Sequence, residues 1–423
     1  SGGFTRLKKV ERYGRDGTKY PVVFEFEYAA APRDNIAAAK LSPEFDEFTG
    51  TSGFFTGHMT LIDLNGDALP DILDTDHGVH TAYMNTLSGQ ADVTQHFEKN
   101  LEDLNKLTGT RKSKYWLAQA PKAKVLDFNG DGFTDFGYFD NSNSIRYLSN
   151  RGTGGWESTE VEIDMPADTN PTVPVTFIQQ GSCKFVDINS DKRIDCVYAS
   201  GTALKVYFNR LRGEDEFWEE VEGRVVEFQP DGTWEDSDLK QWDMTDYDTT
   251  QAKFDLADVN GDGLLDATLW DNSERNLRYK INLGNGVFKA GEQILDFETA
   301  GDSLKERMGD EDLNIAISQN RLMLQDVNAD GLNDVVYIEK SSSYDESAPI
   351  HYWLNRNAKF FLSPVTLSDA NMDNLPSSQI FDGDNTSDRI LWSDMNGNGS
   401  TDIVWFTHDK KMRYLDLYPT RPH

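Results

Sequence analysis

A nine-residue acidic motif recurs six times along the chain and constrains the fold more than any other feature. It reads DLNGDALPD from Asp63, DFNGDGFTD from Asp127, DINSDKRID from Asp187, DVNGDGLLD from Asp258, DVNADGLND from Asp326 and DMNGNGSTD from Asp394. The intervals between the first aspartates are 64, 60, 71, 68 and 68 residues. A period of this length indicates a chain built from one repeated structural unit.

A second mark follows each motif at a similar distance. It is a short aromatic or apolar run that ends in Asn or Asp, at Asn85, Asn150, Asn209, Asn282, Asn355 and Asp416. These residues lie 22, 23, 22, 24, 29 and 22 residues after the first aspartate of their motif. Because two marks keep step six times, biased composition does not account for them and the repeat unit is real.

The residues around each motif have the composition of short β-strands. Apolar runs such as KVL before the Asp127 motif and FGYF after it are bounded by Gly, Asn and Asp. This pattern predicts strand, turn and strand at each motif, with further strands at the second mark. Roughly four strands in each unit predict an all-β fold, a β-propeller with one D-x-N-x-D-G-x-x-D loop per blade.

Six motifs predict six blades, and a seventh blade remains open at the N-terminus. The alternating stretch YPVVFEFEYA, residues 20–29, is a strand without a motif, which either closes the ring or begins a degenerate blade. Residues 30–50 are interpreted as a loop or linker, and the helical patterns near 97–109 and 301–309 as insertions. We therefore expect a single propeller domain over residues 1–423.

The motif has the ligand chemistry of a calcium loop. Oxygen ligands at positions 1, 3 and 5, a main-chain carbonyl at position 7 and a closing carboxylate are how a chain surrounds Ca²⁺, and Gly at position 6 permits the sharp turn. The closing Asp at position 9 and the flanking strands argue against an EF-hand. Zn²⁺ and redox metals prefer nitrogen and sulfur ligands, and the loops contain no His or Cys.

The loops differ in how well they suit a cation. Those from Asp127 and Asp258 rank first, because they combine three carboxylates with Gly at position 6, and those from Asp326 and Asp63 follow. The candidate ligands are Asp127, Asn129, Asp131, Asp135, Asp258, Asn260, Asp262, Asp266, Asp326, Asn328, Asp330, Asp334, Asp63, Asn65, Asp67 and Asp71. In the other two loops, Lys192 and Arg193 add positive charge or Asn398 replaces an aspartate. The weaker candidates there are Asp187, Asn189, Asp191, Asp195, Asp394, Asn396, Asn398 and Asp402.

An alternative without metal stays open for individual loops. Asp and Asn also favour turns by bonding to their own backbone, so one such loop does not require a cation. Where Ca²⁺ binds, we expect a structural role, because a fully coordinated hard cation offers no open position for a substrate. No nucleophile-elbow, zinc-protease or phosphate-loop motif occurs, so the sequence predicts no enzyme. His77 and His80 are interpreted as surface residues.

The composition limits the classes of partner. The net charge of −31 argues against a nucleic-acid partner, because a polyanion would be repelled. No run of 18 apolar residues occurs, so we expect no insertion into a membrane. The two cysteines, Cys183 and Cys196, are interpreted as buried free thiols, with a disulfide as the alternative. Tryptophans such as Trp116, Trp156, Trp270 and Trp353 are expected in the core rather than in sugar sites.

The six loops resemble FG-GAP or VCBS repeats, which build the propellers of integrin α-chains, some lectins and many secreted bacterial proteins. The ends of the chain are more specific. The stretches LKKVERYGRDGTKYPVVFEFEYA, residues 7–29, and LWSDMNGNGSTDIVWFTHDKKMRYLDLYPTRPH, residues 391–423, are similar to the edges of the VCBS propeller in the B component of Tc toxin complexes, part of the RHS-repeat toxin family. This resemblance covers essentially the whole chain.

The resemblance implies a non-enzymatic docking and gating domain in toxin translocation and virulence. In that family the propeller caps the RHS shell and docks on the pore-forming A component of a secreted, extracellular toxin complex. The isolated domain is expected to be a monomer. A secreted lectin-like propeller and an integrin-like adhesion propeller are the alternatives. Because a gate needs a blade that can deform, the units of Asp187 and Asp326 are its candidates.

Overall fold

The computed structural model describes residues 9–13, 19–25, 39–42, 45, 52–76, 79–87, 95–99, 115–117, 122–139, 144–152, 155–164, 183–200, 203–212, 216–222, 224–228, 234–235, 254–271, 273–284, 287–289, 293–298, 302–340, 347–356, 358–368, 375–376, 389–406 and 411–418. We number the repeat units by their motifs, from unit 1 at Asp63 to unit 6 at Asp394.

The first half of the chain supplies units 1 to 3. Before unit 1 lie β1 (Lys9–Tyr13), β2 (Lys19–Glu25), β3 (Lys40–Leu41) and the short helix α1 (Ser52–Thr56). Unit 1 contains β4 (Met59–Ile62), β5 (Asp71–Asp74), β6 (Thr81–Leu87) and β7 (Gln95–Lys99). Unit 2 contains β8 (Ala123–Leu126), β9 (Asp135–Phe139), β10 (Ser144–Asn150) and β11 (Trp156–Asp164). Unit 3 contains β12 (Cys183–Val186), β13 (Asp195–Ser200), β14 (Ala203–Arg212) and β15 (Glu216–Glu222).

The second half supplies units 4 to 6, after β16 (Arg224–Phe228) and β17 (Trp234–Glu235). Unit 4 contains β18 (Phe254–Ala257), β19 (Asp266–Trp270), β20 (Leu277–Lys280), β21 (Val287–Lys289) and β22 (Gln293–Phe297), and is followed by helices α2 (Leu304–Met308) and α3 (Leu313–Ser318). Unit 5 contains β23 (Leu322–Gln325), β24 (Asp334–Ile338), β25 (Ile350–Trp353), β26 (Asn355–Arg356), β27 (Phe360–Phe361) and β28 (Val365–Leu367). Unit 6 contains β29 (Arg389–Ser393), β30 (Asp402–Phe406) and β31 (Met412–Asp416).

These strands form a β-propeller, as the repeat predicts. Five sheets are four-stranded antiparallel blades: units 1, 2 and 3, the sheet β23-β24-β25-β28 of unit 5, and the sheet β29-β30-β31-β3 of unit 6. In unit 4 the strands β18-β19-β20-β22 continue into β27 and β26 of unit 5, which gives a six-stranded sheet. Instead of six separate blades, the described residues therefore show five four-stranded blades, this larger sheet, a three-stranded sheet β17-β16-β21 and the two-stranded sheet β1-β2.

The strand that closes the ring is not the one that the sequence pattern suggests. Residues 19–25 form β2, which pairs with β1 in a two-stranded sheet. The fourth strand of unit 6 is β3, where Lys40 pairs with Asp416 and Leu41 with Leu415. The strongly alternating stretch thus has a local hairpin partner, and a two-residue strand within the expected 30–50 linker closes the ring.

The two expected insertions differ in the structure. Residues 304–308 form helix α2, so the helical pattern near 301–309 is confirmed. The pattern near 97–109 is wrong at its start, because residues 95–99 form strand β7, and its remainder lies outside the described residues. The expectation of free thiols is also wrong: Cys196 is disulfide-bonded, and Cys183 is the only other cysteine of the chain.

The hydrophobic core lies between neighbouring units. Leu73 of unit 1 and Phe136 of unit 2 share one cluster, and Ile72 of unit 1 and Phe406 of unit 6 share another. Both faces of a blade are therefore buried against the next blade. Of the tryptophans expected in the core, Trp156, Trp270 and Trp353 are buried, with exposures of 1%, 5% and 0%, whereas Trp116 is only partly buried.

Candidate metal-binding loops and the ties between units

Each acidic motif is a turn between the first two strands of its unit, as predicted. In unit 2, β8 ends at Leu126, immediately before the motif, and Asp135 at position 9 is the first residue of β9. Position 6 has a positive φ in described loops, 90° at Gly132 and 86° at Gly263. Ala68 and Lys192 adopt φ of 67° at the same position, which is sterically unfavourable for a residue with a Cβ.

The carboxylate at position 1 accepts hydrogen bonds from the backbone of its own turn. Asp258 Oδ1 accepts from the Gly261 N–H at 2.7 Å, and its Oδ2 accepts from the Gly263 N–H at 2.8 Å. The bond from the position-6 N–H recurs at Asp63, Asp127, Asp187, Asp326 and Asp394. Main-chain donors therefore offset part of the repulsion between the aspartates of each loop.

Positions 3 and 5 continue this pattern of turns closed by side chains. Asn260 Oδ1 accepts from the Asp262 N–H at 2.9 Å, and Asp262 Oδ1 accepts from the Leu264 N–H at 2.9 Å. Such side-chain-to-backbone bonds two residues apart are the Asx turns that Asn and Asp favour. The structure therefore contains the side-chain-to-backbone bonds by which a single loop could form its turn without a metal.

The aspartate at position 9 is fully buried in every motif. Asp135 is 0% exposed, its Oδ2 accepts from the Phe128 N–H at 3.1 Å, and its Oδ1 accepts from the Asn150 N–H at 2.8 Å. Burial, reinforced by the charges of Asp131 and Asp127, raises its pKa to about 7. Burial and the neighbouring charges likewise raise the pKa of Asp266 in unit 4 to about 8.

The carboxylate and amide oxygens of these loops are ligands of the kind that a divalent cation binds. A raised carboxyl pKa marks negative charge that its surroundings compensate incompletely. Asp266 Oδ2 and Asp402 Oδ1 are buried and lack a hydrogen-bond partner, so each has an oxygen available to a ligand. Over the described ranges, however, no three His, Cys, Asp or Glu side chains form a group that could hold a metal ion. The calcium ligands remain predictions.

The loop of unit 3 contains its own cation. Arg193 Nε lies 3.6 Å from Asp191 Oδ2, and Arg193 Nη1 donates to the Asn209 carbonyl at 3.2 Å. Asp195 is buried as in the other loops, and burial raises its pKa to about 7. The guanidinium of Arg193 already neutralises part of the negative charge at position 5. The loop of unit 3 therefore has the least need of a metal ion to balance its carboxylates.

The asparagine of the second mark ties neighbouring units together. Asn150 Nδ2 of unit 2 donates to the Thr134 carbonyl of its own motif at 3.0 Å and to the Leu64 carbonyl of unit 1 at 2.9 Å. The same donation to the position-2 carbonyl of the preceding unit occurs at four other asparagines: Asn85 to Met395, Asn209 to Phe128, Asn282 to Ile188 and Asn355 to Val259. The mark is therefore an element of ring assembly.

Unit 6 departs from this pattern. Ile72, the residue after Asp71, pairs with Tyr83, and Asn85 lies two residues further on. In unit 6, Ile403 pairs with Leu415, so the equivalent position is Leu417 rather than Asp416. Leu417 is 1% exposed and packs in an apolar cluster with residues of unit 5, such as Ile338. Apolar packing replaces the asparagine tie between units 5 and 6.

Asp416 instead supplies a carboxylate to the loop of unit 6. Its Oδ2 accepts from Asn396 Nδ2 at 2.8 Å and from Asn398 Nδ2 at 2.9 Å. Position 5 of this loop is Asn398, so the loop itself carries one carboxylate fewer than those of units 2 and 4. With Asp416 from strand β31, the number of carboxylates at the loop of unit 6 is again three.

One buried histidine lies where the sequence suggested a surface residue. His80 is 3% exposed; its Nε2 hydrogen-bonds to the Tyr115 carbonyl at 2.7 Å, and its Nδ1 accepts from Trp156 Nε1 at 2.8 Å. Burial lowers its pKa to about 4. The surface interpretation of His80 is wrong, because both faces of this blade are covered, and His77 lies outside the described residues.

Among solved structures, a chain of a Tc toxin complex is similar to this propeller in fold. No protein-family profile matches the chain, and no curated protein matches it. A structure of the Photorhabdus luminescens Tc holotoxin pore matches with a TM-score of 0.60 and 19% identity, over 98% of this chain and 16% of that chain. A crystal structure of TcdB2-TccC3 with Cdc42 matches at 18% identity with a TM-score of 0.44, over 97% and 16% of the two chains.

A lectin from Agrocybe aegerita that recognises non-reducing terminal N-acetylglucosamine also matches. Its TM-score is 0.46 and its identity 15%, over 82% of this chain and 74% of the lectin. At 19% identity, the match to the holotoxin chain concerns the fold alone. The chain spans about a sixth of the length of the Tc toxin chains that it resembles. Among the described residues, no helix is long and apolar enough to cross a membrane.

Proposed function

We propose that this chain is the docking and gating propeller of a Tc-toxin B-like component, which binds the pore-forming A component and caps an RHS shell. The observation that carries the proposal is the likeness to a Tc holotoxin chain over 98% of the residues at a TM-score of 0.60. The sequence resemblance of residues 7–29 and 391–423 to the edges of that propeller supports the same assignment. A secreted, extracellular location follows from this proposal.

We propose further that the ring has six blades. The strands β18-β19-β20-β22 of unit 4 are successive antiparallel neighbours, as in the four-stranded blades. Its additional strands come from unit 5, where Phe360 and Phe361 pair in parallel with Asp296 and Phe297. Unit 4 is then a sixth blade that shares its outer edge with its neighbour.

The proposed gate is supported by differences in β-strand pairing between neighbouring units. Unit 4 pairs with β16, which follows unit 3, through Arg224 opposite Val287, and with unit 5 through Asp296 opposite Phe360. Unit 6 pairs with β3, which precedes unit 1, whereas unit 2, in the part of the chain that the structure describes, shows no strand pairing to either neighbouring unit. Backbone pairing resists separation, so opening of the ring is assigned to unit 2 and its joints with units 1 and 3, rather than to the units of Asp187 and Asp326 that the sequence suggests.

Hydrogen exchange tests this gate. Amide exchange is measured for the chain alone and for its complex with a Tc A component, because exchange reports local opening. The proposal expects faster exchange in unit 2 of the complex, with units 4 and 5, which share a sheet, unchanged as an internal control. Faster exchange confined to units 4 and 5 would contradict the assignment.

We propose Ca²⁺ as a structural ion of the loops. The residues that would hold it in unit 4 are Asp258, Asn260, Asp262 and Asp266, and the other loops would use their equivalent positions. In unit 4 the ion would supply positive charge between carboxylates that otherwise accept hydrogen bonds from backbone N–H groups. Asp416 would join the set in unit 6.

The docking function is tested by measuring binding to a protein and to glycans in parallel. The purified chain is passed over an immobilised Tc A component and over a glycan array, with an unrelated protein of similar net charge as the control. The proposal expects saturable binding to the A component that persists at 0.15 M salt, where charge interactions are screened beyond about 8 Å. Glycan binding without protein binding would replace the proposal by the lectin alternative.

A further inference from the structure

The segment between β22 and β23 builds a small polar structure that the docking proposal does not use. Helices α2 and α3 lie there, and Leu304, Met308 and Leu313 are buried in the cluster between units 4 and 5. Arg275 of unit 4 holds the segment from one side, donating from Nη2 to the Glu311 carbonyl at 2.9 Å. The helices are thus anchored to the rim of the propeller.

A buried ion pair fixes the floor of this structure. Arg321 is 0% exposed and bonds through Nη2 to Glu311 Oε1, while its Nη1 donates to the Ile338 carbonyl at 2.9 Å. The Tyr337 hydroxyl donates to Glu311 Oε2 at 2.5 Å. Both oxygens of Glu311 are therefore engaged with internal donors.

A cleft of about 450 Å³ opens above this floor. Its lining residues are Arg307, Met308, Glu311, Asp312, Ile315, Tyr337, Glu339 and Lys340. This volume falls within the usual range for small-molecule sites. Ile315 is 49% exposed, which places a large apolar side chain at the mouth of a polar cleft.

The hydrogen-bonding groups of the cleft are unequally engaged. Each lining carboxylate already accepts an internal bond: Glu311 as above, Asp312 from the Asn314 N–H at 2.8 Å, and Glu339 from His351 Nε2 at 2.6 Å. The cations retain donors. Arg307 bonds to Asp302 through Nη2, but its buried Nε has no partner. Lys340 is exposed and has no ion pair within the described residues.

We propose that this cleft binds a carboxylate that carries an apolar substituent. The charged side chains of Arg307 and Lys340 line the cleft and suit an anionic oxygen, because hydrogen bonds with charged donors and acceptors are the stronger ones. Ile315, which is 49% exposed, offers apolar surface to the substituent. The ligand is either a free amphipathic acid or the side chain of Glu or Asp beside an apolar residue in a protein segment.

The net charge of −31 does not prevent such binding. At physiological salt, charges are screened over about 8 Å, so donors inside the cleft dominate over distant surface carboxylates. The nearby carboxylates Glu311, Asp312, Glu339 and Asp302 are each bonded to an internal donor. This inference does not rest on the proposed docking function.

Ligand titrations followed by NMR test the inference on the full chain. The probes are 4-methylpentanoate and its neutral analogue 4-methylpentanamide, together with the peptides acetyl-Leu-Glu-amide and acetyl-Leu-Gln-amide. A carboxylate bonded to charged donors predicts binding that is about tenfold tighter than that of the matching amide. Arg307→Gln and Lys340→Gln should each weaken carboxylate binding by a similar factor.

Lys305→Gln is the matched control. It removes one positive charge from the same helix, but Lys305 is half-exposed, pairs with Glu274 at 3.2 Å and does not line the cleft. Its affinity for the carboxylate should stay within about twofold of the parent chain. Tighter binding of the free acid or of the glutamate peptide identifies the source of the ligand.

Three results would overturn the inference. They are equal affinity for acid and amide, no saturable binding of either acid, and an equal loss in the Lys305→Gln control. Thermal unfolding of each variant shows whether the fold is intact. Arg307 and Lys340 are both at least partly exposed. Replacing either side chain should therefore leave the buried Arg321–Glu311 pair in place.

Discussion

The side-chain amide of Asn150 donates to the main-chain carbonyl of Leu64 in the preceding unit, with 2.9 Å between Nδ2 and O. Its second donor satisfies the Thr134 carbonyl. Replacing Asn150 by Ala leaves two carbonyl groups without these donors and should lower the free energy of unfolding by about 3 kcal/mol. Denaturant unfolding measures the change. Thr159→Ala, at an exposed site of the same unit, should cost less than about 0.5 kcal/mol, and equal losses would contradict the tie.

His80 predicts a dependence of stability on pH. Burial lowers the folded pKa of His80 to about 4, against an ordinary value of 6.5 for histidine, so the unfolded chain binds the proton more readily. Stability from this group is therefore present above pH 6.5 and is lost as the pH falls toward 4, by about 3 kcal/mol in all. Unfolding of the parent and of His80→Leu is compared at pH 7 and pH 4.5. The variant should be less stable at pH 7 and should lose less on acidification; parallel losses would contradict the prediction.

Gly137 lies against the ring of Phe128 in unit 2. A Cβ at this position would sit 2.4 Å from Phe128 Cε2, and Phe128 is 1% exposed. Gly137→Ala should therefore destabilise the chain by about 2 kcal/mol through overpacking. Combining it with Phe128→Leu should cost less than the sum of the two single changes. Gly155→Ala is the control, because a Cβ there meets no atom within 4 Å.

The calcium proposal predicts a thermal effect of chelation. Removal of an ion that binds only the folded chain should lower the melting temperature by at least about 3 °C, and excess Ca²⁺ should restore it. The double variant Asp131→Asn and Asp262→Asn should respond less to chelator, whereas Glu298→Gln, an exposed acid outside the motifs, should respond as the parent does. A melting curve that chelator leaves unchanged would refute Ca²⁺ as a structural ion.

Interactions between residues close in sequence explain why the repeat could be recognised from the sequence. The turn at each motif needs positive φ at position 6, and Gly132 and Gly263 provide it, while Asp258 and Asn260 close the turn with their own side chains. These interactions span at most five residues. Any chain with this spacing should form the same turn, so the strands on either side could be placed correctly.

The partners across the ring could not be predicted from spacing. Asn150 and Leu64 are 86 residues apart, and only the closed propeller brings them together. In unit 6 the choice between Asp416 and Leu417 depends on the register of Ile403 opposite Leu415. A one-residue difference in register changes which side chain faces the neighbouring unit.

Burial on both faces of a blade explains the remaining errors. Strand alternation separates inner from outer residues only where one face meets water. His80 therefore looked exposed, although Tyr115 and Trp156 cover it. The alternating residues 20–29 looked like a blade strand, yet β2 pairs with β1 and Leu41 of β3 pairs with unit 6.

The most direct test of the docking function is a competition measurement. A labelled Tc B component is bound to its A component, and the unlabelled 423-residue chain is added in increasing amount, with Asn150→Ala as a destabilised comparison. The proposal predicts full displacement by the parent chain, because both would occupy one docking surface. Undiminished binding of the B component at saturating amounts of this chain would contradict it.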